Sequence, residues 1–468
     1  MIHRTPPTPR LLAALVLLLA MALPAAALNV DVTQHTLKNG MRVIVIPDRR
    51  APTVTHMVWY RVGSADEPAG KTGLAHYFEH LMFQGTKSIP PAEFSRIIER
   101  LGGQDNAFTS FDYTAYYQRI AARHLGRVMA MEAERMQNLQ LSQKEVDTER
   151  EVIKEERRLR TDNDPRALFG ERLRATLYLA HPYRRPVVGW MDDVERLKLK
   201  DAMAFYRRHY TPANAIVVIV GDVDPAAALK LAEQHYGKLK NTAEVEERAR
   251  TAEPPLLTAR RVVMRDERIR TPAFQRMWVT PTYRTAKDGA AHAWEVFAEA
   301  FGGGSTSLIY RTLVVKEKIA TNAGAWYSGE GRDYGEFGVY ATPAPGVSPE
   351  KLEARIERLL AEVKRDGLPG TDIGHAINVL TAEAVYALDS QFGLARMFGS
   401  TLAADGSADD VLKWEERLRA VNTERIKRML ASWALKKHVT GWLLPAADDP
   451  GPAKATRQGA TKEKETAR

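Results

Sequence analysis

Two histidines and a glutamate at helical spacing form the strongest chemical pattern in the chain. His76 and His80 are four residues apart. On a helix their imidazoles therefore lie on one face, with Cβ atoms about 5 to 6 Å apart, and can bind one tetrahedral ion. Glu79 is three residues after His76 and shares that face, so its carboxylate can reach a metal-bound water without being a ligand. This pentapeptide predicts a metal centre with an acid–base group beside it.

A third protein ligand is required, because two imidazoles leave a zinc ion under-coordinated and a catalytic ion keeps its fourth position for water. The chain contains no cysteine, so this ligand is a carboxylate or another histidine. A predicted helix over 143–160 offers Glu145, Glu149, Glu151, Glu155 and Glu156. Glu149 and Glu156 are two turns apart and project from the same side. The order H-x-x-E-H is that of a known class of zinc peptidases.

The surrounding patterns place this motif on a helix that follows strands. A hairpin is predicted over 34–47 around Asn39-Gly40, then a strand over 54–62 and the motif helix over 73–83. Further predictions are helices over 90–102, 123–139, 143–160, 199–210 and 422–435, and strands over 107–118, 215–220 and 439–444. The last helix and strand repeat an order seen in the first half, which indicates a duplicated unit.

Composition sets the class of the protein and its domain organisation. The chain has 468 residues, of which 44% are hydrophobic and 27% charged, values typical of a globular protein with more than one domain. Its net charge is +9, and the basic residues of the body of the chain are interspersed with acids, so nucleic-acid binding is not expected. We expect an N-terminal domain at 28–240, a polar linker at 241–258, a C-terminal domain at 259–447 and a disordered tail at 448–468.

The first 27 residues have the layout of a secretory signal peptide. Arg4 and Arg10 precede an apolar run over 11–23, and Pro24 with three alanines gives a cleavage site before Leu28. The alternative is an uncleaved helix that anchors the chain to the inner membrane. The sequence therefore predicts export, with a bacterial periplasm as the destination and no membrane span once the leader is removed.

The motifs, taken together in their order, resemble the pitrilysin or insulinase family of zinc metallopeptidases, which includes mitochondrial processing peptidase. The resemblance covers nearly all of the chain after residue 27. It is carried by the segments 37–41, 70–76, 85–87, 102–103, 106–109, 210–214 and 220–222. It implies an α+β fold of two homologous domains, each a mostly antiparallel sheet packed with helices, which together form half of a clamshell chamber.

The same resemblance assigns roles to individual residues. It implies that His76 and His80 bind one zinc ion, that Glu79 is the general base towards a zinc-bound water, and that the third ligand is Glu156 with Glu149 in support. Glu155 remains the competing assignment for the third ligand. The segment Asn106, Ala107, Phe108 and Thr109 resembles the edge strand that pairs with an extended substrate; the alternative is that these residues only close the edge of the sheet.

One part of the family pattern is missing. Family members that act alone have an arginine and a tyrosine one heptad apart in the second half, and these positions fall on Val314 and Thr321. Either Lys316, Tyr327 or Arg332 replaces these residues in binding the substrate, or a second chain supplies the arginine and the tyrosine. The resemblance favours a zinc-bearing chain that pairs with a homologous metal-free subunit; the alternative is a homodimer or a self-sufficient enzyme.

The leading prediction is thus an exported zinc endopeptidase acting on short or unfolded polypeptides. The alternatives are a non-catalytic subunit of the same fold that binds peptides or serves as a scaffold, and a protein for metal storage or sensing. Intact His76, Glu79, His80 and Glu156 argue against a non-catalytic subunit.

Overall fold

The computed structural model describes residues 30–446. The predicted signal peptide at 1–27 and the predicted tail at 448–468 lie outside the described residues. No helix within 30–446 is long and apolar enough to cross a membrane.

Two sheets, one from each half of the chain, form the framework. Sheet 1 has the strand order β1-β2-β6-β3-β5-β4 and sheet 2 the order β7-β11-β8-β10-β9. The strands of sheet 1 are β1 (Thr33–Thr36), β2 (Arg42–Pro47), β3 (Thr53–Tyr60), β4 (Gln104–Thr109), β5 (Thr114–Ala121) and β6 (Ala215–Gly221). Those of sheet 2 are β7 (Arg260–Asp266), β8 (Ala273–Thr280), β9 (Ala320–Ser328), β10 (Gly335–Pro343) and β11 (Val439–Pro445).

The two sheets repeat one topology. In each, a single parallel pair, β2 with β6 and β7 with β11, is followed by antiparallel strands only. The strand order from β2 to β4 matches that from β7 to β9 position by position. The predicted α+β fold with two homologous units is therefore confirmed, and β6 and β11 are the strands whose similarity the sequence had indicated.

Helices cover both sheets. In the first half they are α1 (Leu74–Leu81), α2 (Glu93–Arg100), α3 (Leu125–Asn138), α4 (Gln143–Arg157), α5 (Pro165–Leu177), α6 (Met191–Glu195), α7 (Leu199–His209) and α8 (Pro225–His235). In the second half they are α9 (Ala290–Gly302), α10 (Leu308–Tyr310), α11 (Pro349–Asp366), α12 (Gly370–Leu388), α13 (Gln391–Ala403), α14 (Ala408–Leu412), α15 (Trp414–Arg419) and α16 (Thr423–Ser432).

The segment predicted as one strand over 107–118 is a hairpin instead. Strands β4 and β5 pair antiparallel, and the turn between them is closed by the N–H of Ser110, which donates to the carbonyl of Tyr113 at 2.8 Å. Ser110 and Asp112 are residues that favour turns, and the hydroxyl of Ser110 accepts from the N–H of Asp112 at 3.2 Å. The prediction was wrong because β-forming residues on both sides, Phe108 and Thr109 before the turn and several tyrosines after it, concealed this short turn.

Each half contributes one helix to the other half's sheet. Helix α13 packs on sheet 1, where Leu394 and Phe398 join a core with Trp59 and Ile216. Helix α5 packs on sheet 2, where Phe169 and Leu173 join Met277, Val439 and Leu443 in the same way. The exchange buries the central strands on both faces, since β6 has every residue buried.

The segment between the halves, residues 241–259, contains neither helix nor strand. It is nevertheless held closely, because Arg250 is 4% exposed and pairs with Asp66 at 2.8 Å and with Asp333 at 2.8 Å. The same arginine pairs with Asp112. Acidic residues from both halves of the chain thus form ion pairs with one residue of the segment that the sequence predicts as a linker.

Candidate metal and peptidase site

Helix α1 begins at a glycine that the local packing requires. Gly73 has φ 86°, a left-handed conformation, and a Cβ there would lie 2.6 Å from the carbonyl oxygen of Val188. The buried carboxylate of Glu67 accepts hydrogen bonds from the N–H groups of Gly73 at 3.0 Å and Ala75 at 2.8 Å. These bonds satisfy free N–H groups at the helix start and fix the direction of α1.

Three side chains from two helices converge at one point. Nε2 of His76 lies 3.7 Å and Nε2 of His80 lies 3.4 Å from Oε2 of Glu156. All three potential ligand atoms lie within 4.8 Å of one another. Ligand atoms bound at about 2.1 Å to a tetrahedral ion are about 3.4 Å apart, so this donor set fits zinc.

The two candidate glutamates of α4 have different surroundings. The side chain of Glu156 is 16% exposed, and Arg160 binds its Oε1 at 2.7 Å, which leaves Oε2 directed at the imidazoles. The side chain of Glu155 is 57% exposed and pairs with Arg158 at 3.3 Å. Only Glu156 of this pair stands near both histidines.

Glu149 contacts one of the three potential ligands, His80, and is not placed beside His76 or Glu156. Its Oε1 accepts from Nδ1 of His80 at 2.8 Å, and its Oε2 accepts from the amide of Gln84 at 3.2 Å. A carboxylate on the far nitrogen fixes the tautomer and orientation of a ligating imidazole. Glu149 therefore supports His80 and does not touch the position of the ion.

Glu79 also lies on α1, and its carboxylate accepts a hydrogen bond from a residue of strand β4. The hydroxyl of Thr109 donates to Oε2 of Glu79 at 2.5 Å. Burial raises the pKa of Glu79, and the bond from Thr109 opposes that rise. Thr109 thus contacts the acid–base residue, in addition to its position in the strand where the sequence places it.

The charges around the imidazoles suit a divalent cation. Burial lowers the pKa of His80, but the carboxylates of Glu149 and Glu156 outweigh burial and raise it to about 9. Burial and the neighbouring His80 lower the pKa of His76 to about 4. Two carboxylates beside two imidazoles therefore give the site an excess of negative charge once His80 loses its proton.

Strand β4 is the edge of sheet 1 next to this site. It pairs with β5 on one side, and its other side has no partner strand among residues 30–446. Asn106 is exposed, Ala107 and Phe108 are half-buried, and the ring of Phe108 packs on Trp59 with centroids 5.3 Å apart. The open backbone edge can accept an extended peptide.

Of the three residues considered as replacements for the missing arginine and tyrosine, Tyr327 and Arg332 already bind other groups of the chain. Tyr327 donates its hydroxyl to the carbonyl of Pro281 at 2.7 Å, and Arg332 pairs with Asp405 and Asp333. Lys316 is exposed at the end of a π-helical turn, Arg311–Lys316, that also contains Val314. Thr321 is exposed on β9.

Several contributors to the site were missed by sequence reasoning. Glu67 caps α1, Gln84 binds Glu149, Arg160 binds Glu156, and Tyr77 ties α1 to α4 through its hydroxyl and the carbonyl of Val146. Gln84 follows His80 by four residues but lies beyond the end of α1 at Leu81, so helical spacing alone does not identify it. Glu67 has no recognisable signal in the sequence, because a loop separates it from the start of α1.

Comparisons of the sequence with family models and with known proteins agree with one another. Residues 42–189 match the model described as Insulinase (Peptidase family M16), and residues 196–380 match the Peptidase M16 inactive domain. The zinc protease PqqE of Helicobacter pylori is 33% identical over 374 residues, 78% of this chain and 82% of that protein. The mitochondrial-processing peptidase subunit beta of Blastocladiella emersonii is 26% identical over 422 residues, 87% of each chain.

A solved structure agrees with the sequence matches. The crystal structure of a protease from Helicobacter pylori superposes with a TM-score of 0.81 at 29% identity, over 88% of this chain and 99% of that one. The fold and both halves of the chain are therefore shared with this structure.

Proposed function

Since the chain belongs to the insulinase (M16) family of peptidases, we propose that it is an exported zinc metalloendopeptidase that hydrolyses peptide bonds in short or unfolded polypeptides. The observation that carries the proposal is the convergence of His76, His80 and Glu156 on one point, with Glu79 on the same helix. The second half of the chain, which matches a domain described as inactive, has no comparable donor set among the described residues.

The roles of the side chains follow from their positions. His76, His80 and Glu156 would hold zinc, which supplies a Lewis acid that polarises the scissile carbonyl and makes water more acidic. Glu79 takes a proton from the attacking water on its carboxylate and later gives it to the leaving amine. Thr109 holds that carboxylate in place, and Glu149 orients His80.

Substrate binding would use the open edge of β4. An extended peptide adding to this edge forms main-chain hydrogen bonds with the segment 106–109, and such bonds tolerate varied side chains. Segments whose backbone is already paired inside a folded protein cannot add to this edge. The substrate class is therefore short peptides or unfolded segments.

A second chain is the proposed source of the missing arginine and tyrosine. Val314 and Thr321 cannot donate as a guanidinium and a phenol do, and Tyr327 and Arg332 are already bonded within the chain. One relative is named as a subunit, which fits a divided enzyme. We propose a homologous metal-free partner, with a homodimer as the alternative, and the periplasm as the location.

The test measures zinc content and cleavage on the same preparations. Wild type and Glu79→Gln are assayed with an unstructured peptide, alone and with whatever chain co-purifies. We expect both proteins to contain about one zinc ion per chain and only the wild type to cleave. Zinc without cleavage, even with the partner added, would instead favour a peptide-binding or metal-storage protein.

Two neighbouring glutamates give a matched control for the metal site. We expect Glu156→Gln to lose zinc, because a neutral amide is a poor ligand for it. Glu155→Gln changes the adjacent residue in the same way and should retain zinc and activity. Equal zinc content in both variants would contradict the proposed site.

A further inference from the structure

The second half contains an altered copy of the metal-binding motif. Helix α9 starts, like α1, after a glycine in the left-handed conformation, Gly289 with φ 71°. Counting from the two glycines, His292 corresponds to His76, Glu295 to Glu79, and Val296 to His80. Val296 is fully buried in the core of the second half. Without the second histidine, this helix cannot offer two imidazoles to an ion.

Two of the three motif positions, His292 and Glu295, line a cavity. The cavity has a volume of about 510 Å³, within the usual range for a site that binds a small molecule or a side chain. The polar and aromatic residues that line it include Tyr283, His292, Glu295, Glu330, Trp414 and Arg417.

His292 is the first sign that the cavity takes a ligand. The residue is 6% exposed, and its Nε2 has no hydrogen-bond partner among the described residues. Burial and the positive charge of Arg417 lower the pKa of His292 to about 4, so the imidazole is neutral and one nitrogen can accept a hydrogen bond. An unsatisfied buried nitrogen of this kind is costly unless a ligand or water binds it.

Two of the four carboxylates that line the cavity are not paired with an arginine of the described residues. Glu295 accepts one hydrogen bond from Nε1 of Trp414 at 3.1 Å, and Glu330 is exposed at the rim. Neither forms an ion pair with a described residue. The two arginines that also line the cavity are engaged with other acids, Arg417 with Asp410 at 2.6 Å and Arg284 with Asp333 at 3.6 Å.

We propose that this cavity binds an organic cation, a primary alkylammonium or a guanidinium group. Its N–H groups donate to Glu295, Glu330 and Nε2 of His292, and its carbon chain packs against Tyr283 and Trp414, whose faces attract cations. The cation is carried either by a free small molecule or by a lysine or arginine side chain of a polypeptide.

An organic cation fits better than a metal ion. The motif here offers one imidazole, and within residues 30–446 the arrangement of three closely placed ligand atoms occurs only at His76, His80 and Glu156. Burial raises the pKa of Glu295 to about 7, which reflects a carboxylate without a compensating positive charge. The cavity volume leaves room for the chain that carries the charged group.

The experiment titrates the full-length protein, freed of zinc, with 1,5-diaminopentane, agmatine and the uncharged 1,5-pentanediol by calorimetry. We expect saturable binding of the two cations and none of the diol. Glu295→Gln should weaken binding of the cations on the order of tenfold or more, because a charge-assisted bond is lost. Glu299→Gln, one turn further along α9 and outside the cavity lining, is the control and should bind as the wild type does.

The source of the cation is decided by competition. An unstructured peptide with one lysine, and its norleucine analogue, are added to the complex of 1,5-diaminopentane with Glu79→Gln. Displacement by the lysine peptide alone identifies a polypeptide side chain, and no displacement identifies a free amine.

Three outcomes would overturn the proposal: no saturable binding of either cation, equal binding of the diol, or unchanged affinity in Glu295→Gln. If circular dichroism shows that Glu295→Gln does not fold, Glu330→Gln at the exposed rim replaces it with the same expectation. Because binding is measured without zinc or cleavage, failure here leaves the proposed peptidase function untouched, and the reverse also holds.

Discussion

At the scale of single residues, the candidate metal site includes side chains that support the potential ligands without being ligands themselves. Glu149 holds Nδ1 of His80 at 2.8 Å and is itself held by Gln84 at 3.2 Å. Arg160 occupies Oε1 of Glu156, so that only Oε2 is left for the ion. These contacts reduce the rotamer freedom that the ligands would otherwise lose on binding metal.

Glu149→Gln should therefore weaken zinc binding without abolishing it. We expect the dissociation constant for zinc to rise about 10- to 100-fold, because the amide supports His80 less well than the carboxylate. Competition with a chromogenic chelator measures the change. Glu151→Gln, an exposed neighbour on the same helix that pairs with Lys154, should leave the affinity as it is. A Glu149→Gln affinity equal to that of the control would show that the contact does not orient His80.

The sequence predicts His76, Glu79 and His80 as a set, since a helical repeat places them on one face wherever the helix lies, and all three lie on α1. It could not separate Glu155 from Glu156 by itself, because both belong to a helix whose rotation about its axis is fixed only by packing. Contacts between α1 and α4, such as that of Tyr77 with Val146, set this rotation. The altered motif at His292 was overlooked for a related reason, since one missing histidine removes the recognisable string.

At the scale of elements, the exchanged helices α5 and α13 join the two halves. A Cβ added at Gly399 of α13 would lie 2.0 Å from Cε2 of Trp59 on β3. A Cβ at Gly441 of β11 would lie 2.6 Å from Cζ of Phe169 on α5. At both contacts a glycine allows a large aromatic ring to pack directly on the backbone of the other half.

Gly399→Ala should lower the free energy of unfolding by about 1 to 3 kcal/mol, because the added methyl group overpacks the contact with Trp59. Urea denaturation monitored by tryptophan fluorescence measures it. Gly374→Ala is the matched control, since Gly374 lies in α12 with nothing within 4 Å of an added Cβ. That variant should gain about 0.5 to 1 kcal/mol from helix propensity. A stabilised Gly399→Ala would contradict the close contact.

The elements themselves were largely predictable, and the errors have physical causes. The hairpin at Asn39-Gly40 and the strand β6 follow from turn chemistry and an unbroken apolar run. The hairpin of β4 and β5 was missed because its turn contains no glycine or proline. Which sheet α5 and α13 would cover has no local signal, since an apolar helix face fits any apolar surface.

At the scale of the whole molecule, charges hold the halves together. Asp405 from the second half pairs with Arg248 at 3.2 Å and Arg332 at 2.5 Å, and also with Arg61 from the first half. Burial would raise the pKa of Asp405, but these three arginines outweigh burial and hold the pKa well below its usual range. The acid is therefore charged in the folded protein across the ordinary pH range.

Asp405→Asn should remove stability in a pH-dependent manner. Asp405 has φ 66°, which asparagine also tolerates, so the change acts mainly on charge. A carboxylate whose pKa is lower in the folded than in the unfolded protein adds stability at pH values above its unfolded pKa of about 3.9. This contribution is lost as the pH falls below that pKa. We expect the variant to be less stable by about 3 kcal/mol at pH 7, with the difference narrowing below about pH 4.

Urea titrations of both proteins between pH 3 and pH 8 provide the measurement. Asp409→Asn, an exposed acid whose side chain pairs with Lys413, is the control and should change little at any pH. A stability difference for Asp405→Asn that stays constant with pH would contradict the assigned ion pairs.

The sequence alone determined the family, the duplicated α+β plan and the residues of the zinc motif, because these depend on local periodicity and on the order of motifs along the chain. The tertiary structure decided which glutamate faces the histidines, which half covers which sheet, and that the copy at His292 and Glu295 opens onto a cavity. Such features arise from contacts between residues far apart in sequence, and short-range spacing carries no information about how helices rotate or where sheets meet.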